Sequence, residues 1–382
     1  MTTVIRRGAP LAAACALALA IPLTAGAPAQ AAAADKQDDA AAWLASQANG
    51  GTVFNEQYQF TDYGTTVDTG LALTALDRKA GRVARIVEAM SEAVDSYTTG
   101  ADFGSAHVYA GSLAKLAVFV ADAGQDPTSF GGADLVARLE DRISEDPVTT
   151  GRLEDLLDEA DRPTDDYSNT LCQAFAVEAL ADAGSPAAQP ALDFLLSQQC
   201  ADGYFRVFFT QDKTAADQSC DGGDPAGSSA PDTDATAFAV LALASIEPGE
   251  VSGPAVWAIA DALDRAQAWL ESTQAEDGSY GGGPATQNPN TNSTGLASSA
   301  LAAVGSCGAA RDAARWVKGL QVDRALAVRK LKGELGAIAY DPAALRKGKR
   351  KGITVETRGQ WQIASVQAAP ALLNLSKASC AS

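Results

Sequence analysis

Two aspartates near the middle of the chain are the side chains best placed to do acid chemistry. Asp232 and Asp234 stand at the start of a run that stays apolar or small up to Ser245. An aspartate kept protonated in an apolar pocket can transfer its proton to a substrate. At the N-terminus of a helix the same side chain accepts hydrogen bonds from backbone N–H groups instead. Capping is favoured because Asp or Asn also lies near the start of other apolar runs, at Asp68, Asn169 and Asn292.

The single histidine limits metal and nucleophilic chemistry. Only His107 could supply an imidazole, so the sequence lacks the ordered ligands of a zinc site, and neither metal nor cofactor is expected. His107 and Tyr109 together could abstract a proton in a polysaccharide lyase, although a structural histidine is the simpler interpretation. A glycosidase would instead need two carboxylates that face one cavity. Asp68 could form such a pair with one of three aspartates: Asp165, Asp166 or Asp234.

The charge balance argues against nucleic acid as the main ligand. The 382 residues include 29 Lys and Arg against 47 Asp and Glu, a net charge of −18. Nucleic-acid binding depends on basic groups that displace counterions from phosphates. Residues 311–358 differ from the rest, because they hold 13 Lys or Arg and 5 Asp or Glu and so carry +8, which leaves −26 elsewhere.

The densest part of this basic segment is 346–351, which we expect to form a mobile loop. Such a loop on an acidic protein could bind an anionic cell-surface polymer or lipid head groups. The alternative is a solvated loop that balances a nearby acidic rim.

The N-terminus has the pattern of a secretory signal peptide. Two arginines precede an apolar or small stretch over residues 9–27, and a small-x-small pattern follows at 29–31. Residues 1–31 are therefore predicted to be removed by cleavage near Ala31, which leaves a secreted chain. The C-terminal segment has no apolar span of about 20 residues, so no transmembrane helix is expected.

Two short elements alternate along the rest of the chain. The first is a helix end followed by a loop, at 43–54, 194–205, 269–280 and, more faintly, 316–323. The second is an apolar run that follows each loop, at 69–76, 173–180, 236–243 and 294–301, with weaker copies at 111–118 and 365–372. Repeats of about 60 residues indicate a stack of similar structural units.

The spacing of apolar residues assigns both elements to helices. From Val256 to Leu270 they recur at intervals of 3, 4, 3 and 4, which is one stripe of an amphipathic helix. The run from Thr236 is apolar or small on every face, so a helix there must be buried all round. Striped outer helices are predicted near 36–47, 83–98, 133–145, 187–199, 254–273 and 309–320. Apolar inner helices are predicted near 66–79, 106–124, 168–184, 233–246, 292–305 and 360–376.

A helical hairpin of this kind cannot bury both faces alone, and a closed ring of hairpins leaves no exposed end. The sequence therefore predicts an all-α fold, an (α/α)6 toroid of six helical hairpins, as a single domain over residues 32–382.

Five cysteines follow the predicted signal peptide, and an exported chain can oxidise them. Two disulfides and one thiol can be arranged in fifteen ways, so the sequence alone does not fix the pairing. Cys200 and Cys220 bracket one polar, glycine-rich excursion and are the first predicted pair. Cys307 and Cys380 follow inner helices of neighbouring hairpins and are the second, which leaves Cys172 as a buried thiol.

The loops carry a family resemblance. The motif Gln-x-x-Asp-Gly-x-aromatic, at 199–205 and 274–280, resembles the glutamine-to-aromatic repeats of squalene-hopene cyclases. The alternating helices are similar to those of the terpenoid cyclase and protein prenyltransferase toroid superfamily, which includes the cobalamin carriers intrinsic factor and transcobalamin. The resemblance extends over nearly all of 36–376 and implies the toroid fold. The motif itself is interpreted as structural, because its glycine can adopt a positive φ and its glutamine can tie the loop to the next helix.

The resemblance also bears on activity. The segment 232–237 resembles the Asp-x-Asp-Asp-Thr-Ala motif of class II terpene cyclases, and it places Asp232 on the first aspartate and Asp234 on the proton donor. Ala235 replaces the third aspartate, which weakens the cyclase interpretation. A cobalamin carrier is less favoured, because the chain ends after the sixth hairpin without that family's closing β domain.

Together these features predict a secreted, non-catalytic toroid that binds a small molecule or an extracellular protein where the inner helices begin. The candidate ligand-binding residues are Asp68, Asp232, Asp234 and Asn292. The alternatives are a degenerate class II cyclase, with Asp234 as the acid beside Asp232, or a carbohydrate-active toroid.

Overall fold

The structure is a computed structural model that describes residues 26–157, 166–221, 229–247 and 249–376, with side chains from residue 33 onward. The α-helices in these ranges are α1 (Gly26–Gln47), α2 (Tyr63–Ala75), α3 (Ala80–Glu92), α4 (Val94–Thr98), α5 (Ala110–Asp122), α6 (Leu135–Glu140), α7 (Thr170–Asp182), α8 (Ala188–Ser197), α9 (Thr233–Ser245), α10 (Gly253–Thr273), α11 (Thr291–Ala303), α12 (Cys307–Gly319), α13 (Pro342–Lys351) and α14 (Val355–Ala368). A short antiparallel hairpin, β1 (Val53–Asn55) and β2 (Phe60–Asp62), precedes α2.

The helices form two concentric rings. The inner ring consists of α2, α5, α7, α9, α11 and α14, each packed on the next, and α14 packs on α2. The outer ring consists of α1, α3, α6, α8, α10 and α12, which alternate with the inner helices along the chain. The predicted (α/α)6 toroid is therefore confirmed.

The first and last parts of the chain close the ring. Gln37 Nε2 of α1 donates to the carbonyl oxygen of Leu372, at 3.1 Å, within a 3-10 turn over Ala369–Leu375. Gln321 Nε2 donates to the carbonyl oxygen of Lys36 at 2.9 Å. These bonds join residues about 300 positions apart. The first helix of the outer ring is therefore held in place by the sixth hairpin.

The glutamine motif has the structural function predicted for it. Gln199 Nε2 donates to the carbonyl oxygens of Gly203, at 2.9 Å, and of Ala262 in α10, at 2.8 Å, so it ties its own loop to the next outer helix. Gln274 repeats the pattern in the following hairpin. Gly203 has φ of 99° and packs against the backbone of α10, where a β-carbon would have no room.

Two predicted elements differ from the structure. The third outer helix, expected over 133–145, is only α6, because Ile143 is buried by pairing with Leu153 in an isolated antiparallel bridge. The basic segment expected as a mobile loop contains helix α13. Asp341 caps α13 by accepting from the Ala344 N–H at 2.6 Å, and the basic residues in its last turn suit the negative end of the helix dipole.

The first predicted disulfide is present. Cys200 is bonded to Cys220, and Cys172 is a free thiol. Cys307 is also disulfide-bonded, but its predicted partner, Cys380, lies outside the described residues.

Most of the predicted signal peptide also lies outside the described residues, which begin within it at the start of α1. Among the described helices, none is long and apolar enough to cross a membrane. The Cys200–Cys220 disulfide is compatible with a secreted protein.

Candidate functional site

The N-terminal ends of four inner helices are capped by Asp or Asn side chains that accept from first-turn N–H groups: Asp62 in α2, Asn169 in α7, Asp232 in α9 and Asn290 in α11. The capping interpretation is therefore confirmed for Asn169 and Asp232. Asp68 and Asn292 are not caps, because they lie inside their helices rather than before them.

Asp234 is the second residue of α9 and has a different environment from the cap. The Ser293 hydroxyl of α11 donates to its carboxylate, while Oδ1 is buried without a hydrogen-bond partner among the described residues. Burial raises the pKa of Asp234 to about 6, with the Asp232 charge acting in the same direction and the Ser293 bond acting against it. Gly282 and Gly283 cover this cluster so closely that β-carbons there would meet Ser293 and Asp232. Asp234 is therefore a covered polar residue at the junction of α9 and α11.

The inner helices enclose a lumen of about 670 Å³. Along α5 its wall runs from Gly111 to Asp122, a length of about 16 Å at about 1.5 Å per residue. Most of the wall of the lumen is apolar, and its side chains include Leu71, Val118, Phe175, Phe238, Leu241, Leu296 and Val366. The volume lies within the roughly 300–1,000 Å³ that small-molecule sites occupy.

Two features of the apolar wall bear on what it could bind. The rings of Phe175 and Phe238 lie with centroids 5.3 Å apart and planes tilted by 54°. The free thiol of Cys172 also lines the lumen, and burial raises its pKa to about 11. The thiol is therefore protonated at neutral pH and adds to the apolar surface.

One charged pair interrupts the apolar wall, at the sixth residue of α2 and of α5. Lys115 Nζ lies 2.8 Å from Asp68 Oδ1, and the Tyr97 hydroxyl forms hydrogen bonds with Ser112 and Lys115. Burial lowers the pKa of Lys115, but the Asp68 charge and Tyr97 raise it by more, so the ammonium group is retained. The pair and Tyr97 therefore offer hydrogen-bonding groups with little net charge.

The end of the lumen where the inner helices finish is acidic. Glu178 of α7 and Asp122 of α5 line it, and Asp182 follows one turn after Glu178. Burial raises the pKa of Glu178 to about 8, and the charges of Asp122 and Asp182 act in the same direction. Partial desolvation and the Asp182 charge raise the pKa of Asp122 to about 6, although its side chain keeps contact with solvent. No Lys or Arg in the described ranges forms an ion pair with these three carboxyl groups.

Sequence reasoning missed this acidic end. Glu178 lies within the run 173–180, which the sequence pattern assigns to an apolar inner helix. A lone carboxylate inside such a run was the available signal, because a fully buried helix rarely carries one without a reason. Asp122 and Asp182 gave no comparable signal, since each is the last residue of its helix.

The structure separates the four predicted ligand-binding residues. Asp68 lines the lumen, whereas Asp232 and Asp234 lie together beside Ser293 and are not part of its wall. Asn292 is half-buried, and its Oδ1 has no hydrogen-bond partner within the described part of the chain.

The structure brings the rings of the predicted lyase pair into edge contact but separates the predicted glycosidase carboxylates. Tyr109 lines the lumen, while His107 stands in the preceding loop with its ring centroid 6.2 Å from that of Tyr109. Asp166 lies 2.8 Å from Lys213 and faces a different cavity, and Asp165 is outside the described residues. Across the described ranges, no group of three or more His, Cys, Asp or Glu could hold a metal ion.

The loops that lead into the inner helices expose several aromatic rings at the end of the toroid where those helices begin: Phe54, Tyr58, Phe60, Phe103, Tyr167 and Phe208. Tyr167 is 68% exposed and also lines the lumen. The lumen therefore opens toward this aromatic rim. Exposed apolar groups around an opening are typical of a binding surface.

The closed ring and its lumen define this chain as an (α/α)6-toroid protein with a ligand-sized central cavity. No protein-family model matches the chain, and no curated protein is similar enough in sequence to count as a relative.

Solved structures do share the fold. One is an unsaturated glucuronyl hydrolase from Bacillus sp. GL1, with 14% identity and a TM-score of 0.55, covering 89% of this chain and 95% of that one. Another is a protein from Actinoplanes, with 16% identity and a TM-score of 0.55, covering 91% and 99%. An ent-copalyl diphosphate synthase from Streptomyces platensis is 18% identical with a TM-score of 0.47, covering 84% of this chain and 52% of its own, so this chain spans about half its length. The first two similarities show the fold alone.

Proposed function

We propose that the protein binds an elongated, mainly apolar small molecule inside the lumen. The observation that supports this proposal is the lumen itself: it is large enough for a small molecule and mostly apolar, with a charged pair in its wall and acidic groups at one end. Of the four residues predicted to bind a ligand, Asp68 is the one that contacts it in this proposal. The aromatic rim around Tyr167 is the proposed entrance.

The acidic end favours a ligand with an ammonium group. Desolvation raises the pKa values of Glu178 and Asp122, the Asp182 charge raises both further, and the Asp122 charge adds to the effect on Glu178. A cation there would reduce this repulsion and stabilise the ionised carboxylates. The neighbouring faces of Phe175 and Phe238 could also attract a cation.

We further propose that binding takes place outside the cell. The predicted signal peptide and the Cys200–Cys220 disulfide support this location.

A bulky substitution in the wall tests whether the lumen is the binding site. Ser299 of α11 is half-buried in the wall, so Ser299→Phe should fill the lumen. The matched control is Ser272→Phe, on the exposed surface of α10. The fluorescence of N-phenyl-1-naphthylamine should rise with the wild type and the control but not with Ser299→Phe. Equal binding by all three proteins would place the probe elsewhere and contradict the proposal.

Competition against the same probe tests the charge preference. Octylamine should displace the probe at a lower concentration than octanol, and octanoate should be the weakest of the three. Glu178→Gln should reduce the advantage of octylamine over octanol. The charge preference is wrong if octanoate competes best.

A second candidate function is glycoside hydrolysis. Glu178, with a pKa of about 8, is mostly protonated at pH 7, while Asp122, with a pKa of about 6, is mostly ionised, and both face one cavity. A protonated and an ionised carboxyl group are the pair that glycosidases use. Release of nitrophenol from a panel of 4-nitrophenyl glycosides, highest between about pH 6 and 8 and lost in Glu178→Gln, would favour this function over simple binding.

Proton-initiated cyclization has less support. Asp234, its candidate acid, is not part of the lumen wall, and a buried Ala235 stands where the resemblance would require a third aspartate.

A further inference from the structure

The connection between α12 and α14 forms a basic lobe, which we define as residues 320–354. Its main elements are α13 and a 3-10 turn over Arg329–Leu331, which pack against each other. Leu345 is buried, and Gly348 lies against the ring of Trp361, where a β-carbon would be too close. The lobe is therefore anchored to the toroid through α14 and has a fixed surface.

The exposed surface of α13 carries a dense band of cations. The basic residues of this helix, all of them exposed, are Arg346, Lys347, Lys349, Arg350 and Lys351. At about 100° per residue these five side chains cover about 200° of the helix circumference, and the buried Leu345 and Gly348 occupy the remainder. The exposed Arg329, Lys330 and Lys332 stand on the turn beside them.

These cations are not neutralised within the lobe. None of the five on α13 forms an ion pair or a side-chain hydrogen bond within the described ranges, although Lys347 acts on the charge of Glu356. Arg358, the one basic residue of 311–358 that pairs inside the lobe, lies on α14 and bonds Glu334 at 2.7 Å. The lobe holds 9 Lys or Arg against 3 Asp or Glu, a net charge of +6, so the rest of the chain carries −24 and the positive charge is concentrated in this lobe.

We propose that the basic lobe binds a linear polyol-phosphate polymer, in which single phosphodiesters join the repeats. A row of guanidinium and ammonium groups matches phosphates spaced along a chain, because each contact releases a condensed counterion. This function is independent of the lumen, and it would hold the protein at a surface that carries such a polymer.

The acidic body of the protein favours a thin chain over a membrane as the partner. A flat anionic bilayer also presents its charge to the acidic remainder of the protein, and it repels that remainder at separations below the Debye length of about 8 Å. A single chain can instead follow the exposed cations around α13. A polymer with one charge per repeat therefore suits the confined patch better than an extended anionic membrane does.

The proposal is tested by the binding of fluorescently labelled poly(glycerol phosphate) to the full-length mature protein. With five phosphate contacts, affinity should fall about 100-fold between 50 and 200 mM salt, from a slope of about −0.7 per contact. The same titration with vesicles of phosphatidylglycerol and phosphatidylcholine should show weaker binding at equal phosphate concentration. Stronger binding to the vesicles would overturn the choice of partner.

A pair of double variants distinguishes the lobe from overall charge. Lys347→Gln with Arg350→Gln removes two cations from the lobe and should weaken binding about 25-fold at 0.1 M salt, since two contacts are lost. Lys79→Gln with Arg85→Gln removes two exposed cations from the region of α3 and should leave binding nearly unchanged. Equal losses in both variants would mean that only net charge matters, and no loss in either would place the polymer elsewhere. Both results contradict the proposal.

Discussion

Neutralising Glu178 should stabilise the protein at neutral and alkaline pH. Its carboxyl group has a pKa of about 8 in the folded state, against 4.5 as the ordinary value. A raised folded-state pKa in an acid means that the folded protein holds a proton that the unfolded chain has already released. The stability contribution of Glu178 is therefore unperturbed below about pH 4.5, falls as pH rises from 4.5 to 8, and is constant above that range.

The size of the effect follows from this pH interval. Each pH unit between 4.5 and 7 lowers the free energy of unfolding by about 1.4 kcal/mol, so the loss at pH 7 is about 3 kcal/mol. Glu178→Gln keeps the shape of the side chain and removes the titration, so it should recover most of this loss. At about 2 cal/mol/K of unfolding entropy per residue, a chain of this length should gain about 4 °C in Tm.

The assay is thermal unfolding followed by circular dichroism at pH 5, 7 and 8.5. The difference in Tm between Glu178→Gln and wild type should be small at pH 5 and increase toward pH 8.5. Glu88→Gln, on the exposed side of α3, is the control and should shift Tm by little at any of the three values. A Tm difference that is the same at pH 5 and pH 8.5 would refute the reasoning, because it would show that the charge of Glu178 is not the cause.

Three further predictions follow from the caps, the disulfide and the ring. Asp232→Ala should lower the free energy of unfolding by about 1 kcal/mol in urea titration, while Asp234→Asn, which can keep the Ser293 bond, should cost less, and neither wild type nor variant should cyclize polyprenyl substrates. Replacing Cys200 and Cys220 together by serine should cost about 3 kcal/mol by the same titration, since the bond closes a separation of 20 residues; an unchanged midpoint would contradict this. Truncation after Ser306 should give an insoluble product, because it removes α12 and α14, which close the ring; a soluble helical fragment would show that closure is dispensable.

The repeat pattern was sufficient to predict the architecture. Helical periodicity depends on local spacing, as in the stripe from Val256 to Leu270, and a run that is apolar on every face has to be buried. The Cys200–Cys220 pairing was also predictable, because both residues flank one short excursion. Element boundaries were less accurate: the pattern around 133–145 fits a helix, but Ile143 is buried by pairing with Leu153 instead.

The candidate site was mostly beyond the reach of the sequence. Asp68 and Lys115 are 47 residues apart, and only the packing of α2 against α5 brings their charges to 2.8 Å. Asp122 and Glu178 approach each other for the same reason, across the contact between α5 and α7, and the pKa of Glu178 is raised chiefly by burial within the ring. The sequence thus determined which segments are helices and which helices are buried, since those properties follow from the order of neighbouring side chains. The tertiary structure alone decided which side chains share the lumen, because that depends on the rotation and packing of helices that the chain connects only distantly.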